Sequence, residues 1–102
     1  MERPVNYESI TTLDISNKGL PELPSWVFEC KKLVKLDCSG NNITHLDNLP
    51  PGLKVLVCNS CNIIHLDNLP QLLEILVCLH NPLKYDFEAT LENIRNYINQ
   101  NK

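Results

Sequence analysis

Leu53-Lys54-Val55-Leu56-Val57-Cys58-Asn59-Ser60-Cys61-Asn62-Ile63-Ile64-His65-Leu66-Asp67-Asn68-Leu69-Pro70 lies, shifted by 20 residues, on Leu33 to Pro50. The hexapeptide His-Leu-Asp-Asn-Leu-Pro occurs at both 45–50 and 65–70. Working outward, the pattern L-x-x-L-x-L-x-x-N-x-L fits the chain four times. Ile10, Leu13, Ile15, Lys18 and Leu20 fill the first unit, with Lys18 in the asparagine slot. Leu33, Leu36, Cys38, Asn41 and Ile43 fill the second, and Leu53, Leu56, Cys58, Cys61 and Ile63 the third. Leu73, Leu76, Cys78, Asn81 and Leu83 fill the fourth, and the units are spaced 23, 20 and 20 residues apart. Apolar residues alternating at the fourth and sixth positions predict a short strand in each unit. One unit cannot bury its own leucines, so the four strands are expected to stack in parallel over a continuous core.

These residues resemble the leucine-rich repeat family over positions 10–83. The 20-residue period and the Leu49-Pro50-Pro51-Gly52-Leu53-Lys54-Val55-Leu56 stretch are similar to the short repeats of secreted effectors of enteric bacteria. Cysteine at the sixth position with Leu-Asp-Asn-Leu-Pro joints is similar to the repeat proteins of giant amoeba (mimivirus-like) viruses. Residues 20–30 resemble the longer, 23-residue type of unit. The resemblance implies an α/β solenoid: a short curved stack with about four parallel strands on the concave face and a loop or short-helical convex side. It also implies an asparagine ladder at the ninth position, where an amide can both donate to and accept from the turn leaving the strand. Asn41, Cys61 and Asn81 occupy those places, with Cys61 a family variant. The bacterial effectors carry a separate ligase domain, and no stretch of these 102 residues resembles one.

The expected organisation is a single domain over 1–102: an N-terminal cover over 1–9 begun by Val5 and Tyr7, units at 10–32, 33–52, 53–72 and 73–85, and a cap over 86–102. The cap reads as an amphipathic helix over 86–98, with Asp86 as N-cap and Phe87, Leu91, Ile94 and Ile98 on one face. Arg95 falls on its polar side with Glu88, Glu92 and Asn96.

Composition limits the function. A formal net charge of -3 and 6% aromatic residues argue against nucleic-acid binding. No apolar run is long enough to span a membrane, and the first residues carry no apolar signal segment. Five cysteines do not close a disulfide framework. Reduced thiols and an intracellular, cytoplasmic setting follow as the expectation, which would be a host cytoplasm for a viral or effector protein. The sequon Asn42-Ile43-Thr44 would matter only in a secreted chain.

Candidate chemistry is sparse. Cys58-x-x-Cys61 followed by Cys78-x-His80 has zinc-like spacing. The unit pattern explains the same cysteines as small buried hydrophobes. His45, His65, Asp47 and Asp67 are expected to stack along one convex edge, but duplication of a unit accounts for them equally. No Gly-rich phosphate loop or nucleophile elbow occurs, so neither enzyme activity nor a cofactor or metal is expected.

The outward columns of the strands are more informative. The third position reads Thr12, Lys35, Val55, Ile75, and the fifth Asp14, Asp37, Val57, Val77. The seventh reads Ser16, Ser39, Asn59, Leu79, and the eighth Asn17, Gly40, Ser60, His80. Val55, Val57, Ile75, Val77 and Leu79 therefore predict one contiguous exposed apolar patch, with Lys35, Asp37, Asn59 and His80 around it. The expected function is a non-catalytic module that binds a protein ligand through this face. The alternative is a self-associating structural or regulatory unit, or a fragment of a larger repeat protein. A monomer or weak homo-oligomer is compatible with either.

Overall fold

In the computed structural model, which describes residues 1–101, four short strands are joined by irregular loops and followed by one helix. The strands are β1 (Thr12–Asp14), β2 (Lys35–Asp37), β3 (Val55–Val57) and β4 (Ile75–Val77); the helix is α1 (Leu91–Gln100). The strands form one parallel sheet in the order β1-β2-β3-β4. Its register aligns Thr12, Lys35, Val55 and Ile75 in one row, and Asp14, Asp37, Val57 and Val77 in the next. The offsets of 23, 20 and 20 residues expected from the sequence are therefore the offsets of the strand pairing. The molecule measures 41 × 26 × 19 Å.

The alternation that predicts the strands also divides the two faces of the sheet. Leu36 and Leu56, the middle residues of β2 and β3, are fully buried, while their equivalents Leu13 and Leu76 on the two edge strands are half-buried. Ile15, Cys38 and Cys58 continue inward at the next alternate position. Leu33, Leu53 and Leu73 close the core before each strand, and Ile43, Ile63, Leu46, Leu66 and Leu49 close it on the return path. Backbone pairing runs past the strands, through Ile15 N to Asp37 O (2.9 Å), Cys38 N to Val57 O (2.9 Å) and Cys58 N to Val77 O (2.8 Å). The three extra residues of the first unit accommodate a 3-10 helix, Ser25–Glu29, which buries Trp26 and Val27.

Beyond each strand the chain turns through a left-handed residue, with Gly19 (φ 66°) a second one after β1. Asn17, Gly40, Ser60 and His80, all in the eighth position, have φ of 55°, 70°, 53° and 60°. Glycine takes this conformation freely and asparagine with little penalty. Histidine is also found there more often than most side chains, whereas serine has no such preference.

Two sequence expectations require correction. The terminal helix starts at Leu91 rather than near Asp86, and its N-cap is Thr90, whose Oγ1 accepts from Asn93 N at 3.1 Å. Residues 85–90 are instead non-helical, bent at Asp86 and Phe87, with more and less buried side chains alternating. Phe87 stacks on Tyr85 with ring centroids 4.9 Å apart, and Cys78 Sγ donates to Ala89 O at 3.6 Å. The apolar helix face survives as Leu91, Ile94 and Ile98, with Ile94 fully buried against the core. The second correction is Val5, which is fully exposed and covers nothing. The N-terminal end is instead held by half-buried Tyr7 beneath Arg3, by the Arg3–Glu29 ion pair at 2.8 Å, and by Trp26 Nε1 donating to Met1 O. Of the expected cap over 86–102, Lys102 lies outside the described residues.

Candidate functional site

The ninth-position side chains tie each unit to the one before it. Asn41 is 3% exposed; its Oδ1 accepts from Lys18 N (3.0 Å) and Leu20 N (2.9 Å). Its Nδ2 donates to Ile15 O (3.0 Å), Cys38 O (2.9 Å) and Ser39 O (3.4 Å). Asn81 repeats the arrangement one step on, accepting from Cys61 N (3.1 Å) and Ile63 N (3.2 Å) and donating to Cys58 O (2.8 Å). Each asparagine thus serves the turn of the preceding unit. Residues 1–9 form no such unit among the described residues, so Lys18 in the ninth position of the first has no preceding turn to hold.

Cys61 breaks the ladder in the middle. Its Sγ donates to Cys38 O at 3.3 Å, replacing one amide contact. Asn41 N and Ile43 N, which correspond to the amides held elsewhere by Asn41 and Asn81, have no side-chain oxygen opposite them among the described residues. Cys61→Asn is therefore expected to stabilise the protein. Two recovered hydrogen bonds at about 0.5–1.5 kcal/mol each, less the cost of fitting a larger side chain, leave a net gain of about 1 kcal/mol. That corresponds to a rise of about 4–8 °C in the melting temperature of a domain this size, measurable by circular dichroism.

The outward face of the sheet holds the residues singled out for binding. Val55, Val57, Ile75 and Val77 are contiguous by register, and Leu79 continues the fourth unit beyond β4. The patch is less open than alternation predicts. Ile75 and Leu79 are 52% and 61% exposed, but the three valines are half-buried. Strands about 4.8 Å apart bring in-register side chains into mutual contact, so each valine is partly covered by its neighbours.

The polar members of the face are already engaged. Asp14 Oδ1 accepts from Ser16 N (2.9 Å) and Ser16 Oγ (2.6 Å), which together hold its carboxyl below the ordinary carboxylate range. Asp37 Oδ1 accepts from Ser39 N at 3.0 Å. Where valine replaces aspartate in the fifth position, the seventh-position amide turns sideways: Asn59 N donates to Ser39 Oγ (3.0 Å) and Leu79 N to Asn59 Oδ1 (2.7 Å). Asn59 is thus a support for the strand ends as much as a contact residue. Lys35 and His80 are exposed. Asp14, Asp37 and Lys35 take part in no ion pair among the described residues. A shallow pit of about 300 Å3 lies between Thr12, Leu13, Asp14, Lys35 and Asp37.

The other edge is structural. Tyr85 follows His45 and His65 in the same column; its hydroxyl donates to Asp67 Oδ1 (2.6 Å) and accepts from Leu66 N (2.8 Å). Its ring meets His65 edge-on at 5.9 Å, and Asp47 accepts from Asn68 Nδ2 at 2.9 Å. Both aspartates of that edge are therefore committed to neighbouring side chains. Among the described residues no three His, Cys, Asp or Glu side chains come together as a metal would require. All five cysteines are free thiols. Burial raises the Cys38 thiol to about 12, with neighbouring Cys61 adding to it, and raises Cys58 further.

Sequence reasoning also missed Arg95. It was expected on the solvated side of the helix, yet its Nη2 donates to Pro70 O (3.1 Å), Gln71 O (3.1 Å) and Leu73 O (2.9 Å), pinning α1 to the last turn before β4. No helix among the described residues is long and apolar enough to cross a membrane. No family model, curated protein or solved structure matches this chain.

Proposed function

We propose that this chain is a leucine-rich-repeat solenoid acting as a non-catalytic protein-binding module, and that its ligand docks on the outward, concave face of the sheet. The observation that carries this reading is the apolar end of that face, where Ile75 and Leu79 stand open beside Val55, Val57 and Val77. A solvated strand face normally alternates to polar residues, and β3 and β4 do not. Exposed apolar surface of this kind favours association. The in-register units and the ninth-position asparagines support the repeat assignment. The free thiols support an intracellular, reducing setting.

The test is Val57→Lys/Val77→Lys. Both side chains point away from the core, so the far-ultraviolet circular dichroism spectrum should stay that of the wild type. Affinity for a protein ligand captured by the wild type should fall by at least about tenfold, since two ammonium groups would be desolvated against an apolar partner. Undiminished binding by a folded variant would place the ligand elsewhere on the molecule.

A further inference from the structure

The two ends of the outward face differ in chemistry, and the register sets them side by side. One row across the sheet reads Asp14, Asp37, Val57, Val77, and the adjacent row Thr12, Lys35, Val55, Ile75. Asp14 and Asp37 are directly paired like charges on neighbouring strands, an arrangement that disfavours the isolated sheet. Each commits only Oδ1 to its serine turn, and neither Oδ2 meets a donor or an ion-pair partner among the described residues. Two carboxylates facing out of a shallow pit, continuous with an aliphatic floor, are complementary to a cation carried next to apolar groups.

We propose that this face takes an extended peptide segment of another protein in which a lysine or arginine precedes aliphatic residues, the cation seated at Asp14 and Asp37 and the aliphatic side chains on Val57, Val77, Ile75 and Leu79. The proposal rests on the binding face argued above and adds the chemistry of the ligand. Strands about 4.8 Å apart put the centre of the carboxylate pair about 10 Å from the centre of the valine pair, which three extended residues span. Lys35 lines the same pit from the adjacent row and opposes the incoming cation. A second copy of this chain is disfavoured as the occupant. Each copy carries a formal charge of -3, and face-to-face pairing would set each aspartate pair against the partner's aspartates or its valines, neither of which supplies a cation.

The probe is acetyl-Gly-Arg-Arg-Ser-Val-Leu-Gly-amide, titrated into the 15N-labelled full chain and followed by amide chemical shifts. Two matched peptides carry Glu-Glu in place of Arg-Arg, or Ser-Ser in place of Val-Leu. The arginine peptide should move the Val57, Val77 and Leu79 amides with a Kd on the order of 100 µM, weakening as salt is added. Asp14→Asn/Asp37→Asn keeps an oxygen for the serine turns and so keeps the fold. It should weaken binding about tenfold and flatten the salt dependence, while Lys35→Met should tighten binding a few-fold. Equal affinity for the glutamate peptide, or indifference to Asp14→Asn/Asp37→Asn, would overturn the cationic ligand. The face itself would stand if those shifts still centred on Val57 and Val77 and vanished in Val57→Lys/Val77→Lys. No shift with any of the three peptides at about 2 mM, well above the expected Kd, would also overturn the proposal. A protein ligand whose affinity survives Val57→Lys/Val77→Lys would remove the face reading as well.

Discussion

Asn41→Ala is expected to destabilise the protein by about 3–5 kcal/mol, a large share of the roughly 5–15 kcal/mol that holds an ordinary domain together. The side chain is 3% exposed and engages five backbone groups from two successive units. Alanine leaves the Lys18 and Leu20 amides and the Ile15 carbonyl without their partner, in a place water reaches poorly. Each orphaned group costs about 1–3 kcal/mol, far more than a hydrogen bond contributes when both partners can return to water. The parallel change Asn81→Ala should cost less. Asn81 makes similar bonds but is half-buried at the end of the ladder, where solvent can take over. Urea denaturation of the two variants checks the ranking. Equal losses would show that burial of the ninth position does not set its energetic weight.

The ladder also shows what a sequence does and does not display. The strands and their register were legible because they depend on hydrophobic spacing, and Leu13, Leu36, Leu56 and Leu76 repeat that spacing without interruption. The direction of the ladder was not legible. Only the bonds from Asn41 back to Lys18 and Leu20 show that each asparagine serves the preceding turn, which turns Lys18 from an anomaly into a consequence of having no such turn before it. The left-handed eighth position was hidden because Asn17, Gly40, Ser60 and His80 share a backbone conformation and no side-chain property. Gly40, Asn17 and His80 suit that conformation separately; Ser60 carries no signal of it.

The terminal helix failed at its start for a related reason. Phe87 is spaced correctly for the helical stripe, yet Tyr85, Phe87 and Ala89 also satisfy a two-residue alternation. Stacking of Phe87 on Tyr85 and the contact of Ala89 with Cys78 favour the non-helical path. On the outward face, the columns read from the sequence put the apolar residues on β3 and β4, but their openness depends on lateral packing between neighbouring strands. Val57 is covered in part by in-register Val77, and nothing within one unit reveals that.

The stacked thiols lead to the second large effect, loss of stability in alkali. Cys38 and Cys58 are fully buried at the sixth position of adjacent strands. Removal from water raises the Cys38 thiol from its ordinary 9.0 to about 12, and burial together with Cys38 and Cys78 raises Cys58 as well. A thiol raised in the folded state stays protonated there after its unfolded counterpart has ionised. The unfolded chain then binds fewer protons, so stability is intact below pH 9 and declines above it. The slope is about 1.4 kcal/mol per pH unit for each thiol, until the folded thiol itself ionises. At pH 11 Cys38 alone accounts for about 2–3 kcal/mol, and Cys58 adds a comparable loss. Together they approach the whole stability of a small domain. Urea midpoints measured from pH 7 to 11 should therefore be flat to about pH 9 and then fall steeply. Ionisation of Tyr85, whose hydroxyl is raised by burial and by its hydrogen bond to Asp67, contributes to the same fall, so the deciding comparison is Cys38→Ala/Cys58→Ala. That variant starts less stable, because two small voids replace the sulfurs, but its decline above pH 9 should be shallower by about 2–3 kcal/mol per pH unit. Parallel slopes would show that the two thiols sit in a wetter interior than their burial implies. Iodoacetamide labelling gives an independent reading of the same property: at neutral pH half-buried Cys78 should react before Cys38 and Cys58, which should label only as the protein unfolds.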